Sequence, residues 1–271
     1  MASLVDGGSH KPNGRSWPPD RCLGDAMKMP HACLRLLSAG LLLGGLPAWT
    51  QEGPKPWAAT FYLQQSWPKQ TEANRQIKDI NAAFGSTFKT WDDVANLNLG
   101  LQVFRELDAR WKLGLELDYS RGRISGAQSV DTMAGPATLA FEQKYTIYAD
   151  VMVVAQFRPW GREGRWTPFL TAGMGLAYDK DRTLLTLRND FLDETLAQVD
   201  NCGWFPILTA GAGLDVYLTE RRTWYAEVGL SYSWARLKHQ VAASGSLGQS
   251  QVTADTDSTG PNVWLGVGRR F

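Results

Sequence analysis

The side chains best suited to chemistry in this 271-residue sequence are carboxylates that alternate with apolar residues along several segments. They are Glu116, Asp118, Asp150, Asp215 and Glu227, and the nearest bases on the same face are Lys112, Lys144 and Arg158. Carboxylates removed from water must be paired, hydrated or protonated. The pattern therefore favours a polar plug of ion pairs and water over the alternative, which is the lining of a narrow cation-preferring pore.

Catalysis has little support in the sequence. His239 is the only histidine after residue 50, and Ser244 stands in a polar stretch beyond it, so no nucleophile is positioned beside a base. Asp92 and Asp93 could suggest a catalytic acid pair, but the aspartate–histidine partner is missing. We therefore expect a surface role for His239, a loop or helix-end role for the two aspartates, and no enzyme activity, cofactor or metal.

The elements that would position the carboxylates are β-strands, because apolar and polar residues alternate with a period of two. In the clearest segment, Trp224 to Trp234, the even positions are apolar and the odd positions are small or polar. We predict eight strands: 57–67, 94–106, 110–121, one ending near Phe157, 165–178, 204–218, one from Trp224 through Trp234, and 259–271. The apolar set of the fourth is Tyr145, Ile147, Ala149, Val151, Val153 and Ala155.

The connections between these strands alternate between long and short. The polar stretches 122–139, 179–203 and 241–257 are predicted to be long loops. The first long connection contains an amphipathic helix over 71–84 that is broken at Gly85. This order predicts an all-β protein, an eight-stranded antiparallel up-and-down transmembrane β-barrel with a short helix in its first long loop. The helix could lie on a membrane surface, cap the barrel mouth or be unfolded.

Tryptophan positions support two belts at the membrane boundaries. Four tryptophans lie beside the short turns, Trp111, Trp160, Trp166 and Trp224, and four lie near the long connections, Trp67, Trp204, Trp234 and Trp264. The sequence also contains two copies of Thr-Ala-Gly-x-Gly-Leu, at 171–176 and 209–214, whose glycines would face the narrow interior and relieve crowding there.

Composition and the N-terminus suggest export. Residues 27–50 resemble a secretory signal, with an apolar stretch at 36–46 and a cleavage site between Ala48 and Gln51. Residues 1–26 are expected to be an over-long reading of the gene or a disordered extension, and 51–271 the barrel domain. The net charge of +1 gives no reason to expect a nucleic-acid partner.

The chain resembles the small outer-membrane β-barrel superfamily, which includes the OmpA transmembrane domain, the opacity proteins and OmpW. The resemblance covers about 57–271 and is carried by the two glycine-containing repeats, the order of connections and the terminal Phe271. It implies an outer-membrane location, outer-membrane lipids as surroundings, and a C-terminal signal for the barrel-assembly machinery formed by Phe271, Val267 and Leu265. Arg269 departs from that signal, since an aromatic or apolar residue is usual there. A monomer is expected.

The resemblance leaves three functions open. The first is a non-enzymatic structural or surface-binding role, in which 68–93 and 179–203 contact external partners. The second is a narrow channel or a conduit for small apolar ligands, similar to OmpW, and the third, least favoured, is a lipid A modifying enzyme. A basic rim could bind lipopolysaccharide phosphates or be ordinary solvated charge; it comprises Arg121, Arg123, Arg182, Arg236 and Lys238.

Overall fold

The chain folds into long antiparallel strands and one α-helix. The computed structural model describes residues 56–271 except 95, 134, 163, 192 and 247, so the predicted signal segment and the extension before it lie outside the described residues. Among the described residues, no helix combines the length and the apolar character needed to cross a membrane. The elements are β1 (Trp57–Ser66), α1 (Thr71–Phe84), β2 (Asn96–Glu106), β3 (Trp111–Thr132), β4 (Gly135–Phe157), β5 (Trp166–Arg188), β6 (Asp193–Tyr217), β7 (Trp224–Gly245), β8 (Gly248–Asp257) and β9 (Gly260–Arg270).

The sheet closes on itself. Each of β1 to β7 pairs with its sequence neighbour, and β9 pairs with both β7 and β1, which completes a ring of eight strands. Strand β8 pairs with β7 above this ring and takes no part in the closure. The predicted eight-stranded antiparallel barrel with a helix in its first long connection is therefore confirmed, with β8 as an additional strand.

The outer face of the ring carries large apolar side chains that are exposed. Phe61, Leu97, Leu230 and Leu265 are 58%, 60%, 64% and 63% exposed, and they lie on different strands around the ring. A water-soluble protein does not leave a continuous band of this kind uncovered. The outer face therefore contacts the hydrocarbon of a membrane, as the alternation in the sequence predicts.

Aromatic side chains border this band at both ends. Seven of the eight tryptophans assigned to the belts have indole rings that are exposed or half-buried. Trp264 is the exception, because its ring is inside the barrel and its Nε1 donates to Glu227 Oε1 at 2.9 Å. Its assignment to a belt is wrong. Val263 and Leu265 point outward, and the side chain between two outward residues of a strand must point inward.

A β-bulge in β4 changes which residues of that strand face the interior. The pairing with β3 shifts between Tyr145 and Tyr148, and the pairing with β5 shifts between Tyr145 and Ile147, so that Thr146 has no partner on either side. Beyond the bulge the alternation is reversed. Tyr145, which the sequence places on the apolar outer face, is therefore buried inside, and Lys144, expected inside, is exposed.

The long polar stretches are strands rather than loops. Residues 122–132 and 135–145 extend β3 and β4, 179–188 and 193–203 extend β5 and β6, and 236–245 pair with 248–257 in the β7–β8 hairpin. We call these extensions, together with α1, the collar. Its inner face has a core of its own, in which Ala73 and Ile77 of α1 pack, so the helix caps the mouth. Other members of this core are Phe88, Trp91, Ile124, Leu139, Phe141, Tyr145, Leu185 and Leu196.

Aromatic rings inside the barrel lie over glycines of the neighbouring strand. In each case the glycine is the direct cross-strand partner of the aromatic residue, and a Cβ atom on it would overlap the ring. This arrangement lets large rings fill a narrow lumen without pushing the strands apart. The five pairs are Tyr62 with Gly100, Phe104 with Gly114, Phe169 with Gly213, Tyr225 with Gly268, and Trp264 with Gly229.

Filling one of these spaces is expected to destabilise the barrel. Gly100→Ala places a methyl group against the Tyr62 ring and should lower the free energy of unfolding by about 1–3 kcal/mol, as overpacking does in well-filled cores. Urea unfolding in lipid vesicles, followed by tryptophan fluorescence, measures the change. The double variant Gly100→Ala/Tyr62→Leu is the control. The double variant must lose less free energy of unfolding than the two single variants lose together, because the smaller side chain at position 62 makes room for the new methyl group. Strictly additive losses would contradict the steric explanation.

Candidate functional site: the barrel lumen

All six side chains predicted to form a polar network lie in the interior and are buried. They divide into two groups according to height along β3. Lys112, near the short turns, belongs with Asp215 and Glu227 in one cluster. Glu116 and Asp118, nearer the collar, belong with Asp150 in another. The two groups have different charge balance and are described separately.

The group near the short turns forms an ion-pair plug across the lumen. Arg158 Nη2 lies 2.7 Å from Asp215 Oδ2, and Lys112 Nζ lies 3.2 Å from the same oxygen. Arg158 Nη1 also reaches Glu106 Oε1 at 3.5 Å, and Glu106 Oε2 accepts from Arg270 Nε at 2.8 Å. These residues come from β2, β6, β9, β3 and the end of β4, so the plug ties together strands from different sides of the ring.

Aromatic groups complete this closure. The Lys112 ammonium lies 5.4 Å from the centre of the Phe104 ring and 5.2 Å from that of Tyr225, within the range of cation–π attraction. Glu227 accepts hydrogen bonds from Trp264 and from Thr60, the latter at 3.5 Å. Each charge in this part of the lumen therefore has a partner of opposite sign, an aromatic face or a hydrogen-bond donor, which is what burial of charge requires.

A polar cavity lies directly above the plug, toward the collar. Its empty space, counted together with the open solvent at its mouth, is about 650 Å³. Three of the predicted carboxylates, Glu116, Asp118 and Asp150, line it. Asp118 accepts from the Tyr62 hydroxyl at 2.7 Å, and Glu116 accepts from Gln102. The remaining walls are mostly hydroxyl and amide side chains.

The collar holds a second acidic pair on its inner face. Asn201 Nδ2 donates to Asp181 Oδ2 at 2.7 Å, and Thr256 Oγ1 donates to Asp179 Oδ2 at 3.2 Å. Burial raises the pKa of Asp181 from its ordinary 3.8 to about 6, and the nearby Asp200 adds to the rise, although the hydrogen bond from Asn201 opposes it. Both carboxylates lie beyond Tyr178, where β5 has left the membrane band.

The basic side chains expected at the outer rim are on the collar, and most have an acidic partner. Arg123 pairs with Glu142, Arg182 with Asp200, and Arg236 with Asp255, each across neighbouring strands. Arg121 instead stacks on the Tyr119 ring, and Lys238 is exposed. At the opposite end, Phe271, Val267 and Leu265 of the predicted assembly signal face outward. The guanidinium of Arg269 lies over the Trp224 and Phe271 rings at 5.4 and 5.3 Å.

The other candidate residues make structural contacts. Asp92 accepts from Asn74 of α1, and Asp93 accepts from the backbone of Thr90 at the start of a short 3-10 turn. His239 Nδ1 has no hydrogen-bond partner in the described part of the chain, and Ser244 lies five residues along the same strand, about 16 Å away. Within 56–271 and outside the undescribed positions, no group of three His, Cys, Asp or Glu side chains is arranged to hold a metal ion.

Three members of the plug were missed by the sequence reading: Glu106, Arg162 and Arg270. Glu106 is buried and contacts all three arginines of the plug, including Arg162 in the turn after β4. The signal was present for two of them. In β2 the even-numbered side chains point inward, as Gln102 does, so Glu106 must point inward too. In β9 the same holds for Arg270, which lies two residues after the inward-facing Gly268. Arg162 lies in a turn, where no parity applies.

Comparison with solved structures finds outer membrane proteins. The chain is similar to OprG from Pseudomonas aeruginosa (16% identity, TM-score 0.42, 80% of this chain and 96% of that one). It is also similar to the outer membrane protein W of E. coli (16%, 0.38, 82% and 100%) and to the outer membrane protease OmpT of E. coli (8%, 0.38, 82% and 99%). No family model matches the sequence, and no curated protein matches it significantly.

The closed ring, the exposed apolar band and its aromatic borders define the class of protein. The chain is a transmembrane β-barrel of the outer-membrane type, with the eight-stranded architecture of the small outer-membrane barrels. In such barrels the short turns face the periplasm and the long connections face the outside. The plug is therefore at the periplasmic end, and the cavity and the collar are at the outer end.

Removing the central arginine of the plug is expected to be costly. Arg158→Met leaves Glu106 and Asp215 buried with fewer partners and should lower the free energy of unfolding by about 3–5 kcal/mol. The control is Arg182→Met, which breaks the exposed pair with Asp200 and should cost less than about 1 kcal/mol. Urea titration of both variants in vesicles measures the difference. Equal losses would mean that the plug contributes no more than a surface pair.

The raised pKa of Asp181 predicts a pH dependence of stability. The folded chain keeps this proton up to about pH 6, whereas the unfolded chain releases it near the ordinary value of 3.8. The stabilising contribution is complete below about pH 4 and is lost as the pH rises through about 6. Asp181→Asn should therefore gain stability relative to the wild type between pH 4.5 and pH 7.5, measured by the urea midpoint. The control Asp193→Asn, at an exposed position of β6, should show no such gain. If the urea midpoint of Asp181→Asn varied with pH as that of the wild type does, Asp181 would not be the group responsible.

Proposed function

We propose that this protein is a non-enzymatic outer-membrane barrel with a closed lumen, and that it acts as a structural or surface-binding component of the envelope through its collar. The ion-pair plug is the observation that carries this proposal. Arg158, Asp215, Lys112 and Glu106 are each 1% exposed or less, and they meet inside a barrel whose lumen is only about as wide as its side chains.

The collar supports the surface-binding part of the proposal. Strands that continue well beyond the membrane band, with a separate apolar core beneath α1, hold the outer surface in a fixed shape. Cross-strand ion pairs such as Arg123–Glu142 and Arg236–Asp255 reinforce the shape and leave the surface nearly balanced in charge. A rigid surface of mixed charge suits contact with a partner better than it suits a mobile gate.

Lipopolysaccharide remains a proposed contact, and Arg121 is its best candidate. The side chain is exposed, lies just beyond Tyr119 at the outer aromatic border, and pairs with no carboxylate in the described part of the chain. The paired arginines, Arg123, Arg182 and Arg236, are weaker candidates because a phosphate would have to replace an existing carboxylate partner. Recognition of the C-terminal segment by the assembly machinery likewise remains a prediction.

Conductance in planar lipid bilayers tests the closed lumen. The wild-type protein is expected to insert without discrete current steps, because the plug leaves no continuous water path. The double variant Glu106→Ala/Arg158→Ala removes two members of the plug and should produce steps. The matched control, Glu142→Ala/Arg123→Ala, removes a collar pair and should stay silent.

Discrete steps in the wild type would overturn the closed-lumen proposal and favour the narrow conduit. Each preparation is first shown to be folded by its heat-dependent migration on gels. The enzyme hypothesis is tested separately by mass analysis of lipid A from cells with and without the protein. We expect identical spectra, since His239 and Ser244 are too far apart to act together.

A further inference from the structure

The cavity above the plug brings three acidic side chains together without a basic side chain among the described residues that line it. Glu116 and Asp118 come from β3 and Asp150 from β4, and each of the three is less than 10% exposed. The described residues that line the cavity include no Lys, Arg or His. The plug just below differs in having bases, since Lys112 and Arg158 contact Asp215, and Arg158 also contacts Glu106.

Two oxygen atoms at this cavity lack a protein donor. Asp150 Oδ1 is buried and accepts no hydrogen bond from any described residue. Asn98 is a neutral amide that is 6% exposed, and its Nδ2 donates to Ser66 Oγ at 3.0 Å. Its Oδ1 also accepts no hydrogen bond from a described residue. Buried polar atoms of native proteins are nearly always hydrogen-bonded. A hydrogen-bond donor that also carries positive charge would satisfy these two oxygens and balance the acidic side chains together.

We infer that this cavity binds a small aliphatic ammonium ion. An ammonium group has three donors, no acceptor and one positive charge, which matches acceptor-only carboxylates and the unsatisfied oxygens of Asn98 and Asp150. The acidic groups stand at different heights of the cavity wall, Glu116 and Asp118 on β3 and Asp150 on β4, so a short chain that carries an ammonium group can reach them. Tyr145 and Tyr148 also line the cavity, and aromatic rings of this kind attract ammonium groups.

The position of the cavity fits a ligand that enters from outside. The plug lies on its periplasmic side, and Gln70 and Tyr145 lie on its collar side, where the Tyr145 hydroxyl donates to Gln70 Oε1 at 2.8 Å. The same two residues line a second cavity within the collar, beside Asp181. A cation would therefore pass an acidic collar before it reaches the lumen.

Calorimetric titration of the folded protein in detergent micelles tests the inference. The probe is butane-1,4-diammonium, and butane-1,4-diol is the neutral control of equal length. We expect saturable binding of the diammonium ion and binding of the diol that is at least tenfold weaker. Titration with magnesium alone is the third arm. Equal binding of the diol, no saturable binding of the diammonium ion, or its full displacement by millimolar magnesium would overturn the proposal.

Two substitutions place the binding in this cavity. Asp150→Asn should weaken diammonium binding at least tenfold, and Glu142→Gln, which removes a carboxylate from the outside of the collar, should change it less than twofold. Gln64→Lys introduces an ammonium group at the cavity wall and should abolish binding of the probe, whereas Gln64→Met should retain it. Wild-type affinity in Gln64→Lys would refute the site, even if Asp150→Asn failed to fold. Since binding is measured in micelles, its result is independent of whether the barrel conducts.

Discussion

Closure of the backbone hydrogen-bond ring through β1 and β9 is the constraint on which the rest of this structure depends. Inside a bilayer no water is present to satisfy an exposed N–H or C=O group, so a sheet can cross only if it has no open edge. Strand β1 meets this requirement by pairing with β9 along nearly its whole length, from Ala58 opposite Arg270 to Ser66 opposite Asn262. Once the ring is closed at eight strands, the radius is fixed, and every inward side chain must fit a lumen of that size.

The limited radius accounts for two features of the interior. Large rings occupy the lumen only where the neighbouring strand supplies a glycine, so Tyr62, Phe169 and Trp264 each lie over one. Charged side chains, in turn, are close enough to reach across the ring, which is why Lys112 of β3 and Asp215 of β6 can share an ion pair despite their separation in the chain. In a wider barrel the same residues would be separated by water.

The sequence predicts the lipid-facing half of this molecule well and the rest less well, because lipid imposes a pattern and water does not. In the membrane band every second residue must be apolar, so Leu97 to Val103 or Val263 to Val267 are recognised at once. In the collar both faces of the hairpins meet water or a small local core, and the outer face becomes polar. The segments 179–188 and 193–203 therefore look like loop in the sequence, although they are paired strands. The bulge at Thr146 reverses the parity of β4 without any local signal. The alternation along β3 places Glu116 and Lys112 in the interior. Their partners, however, depend on how far along the barrel axis and where around the ring the other strands place their side chains, and the sequence of one strand does not contain that information.

The interior divides into an ion-paired plug and a cavity whose acidic side chains have no basic partner, and this division bears on how the barrel can work. The bases of the plug lie at the periplasmic end, whereas Glu116, Asp118 and Asp150 lie on the outer side, adjacent to the collar. If the lumen is closed at the plug, as proposed, whatever occupies the cavity enters and leaves by the outer end. That arrangement would favour equilibrium binding over transport. The acidic cavity would then take its cation from the medium, whereas the plug contains its own bases.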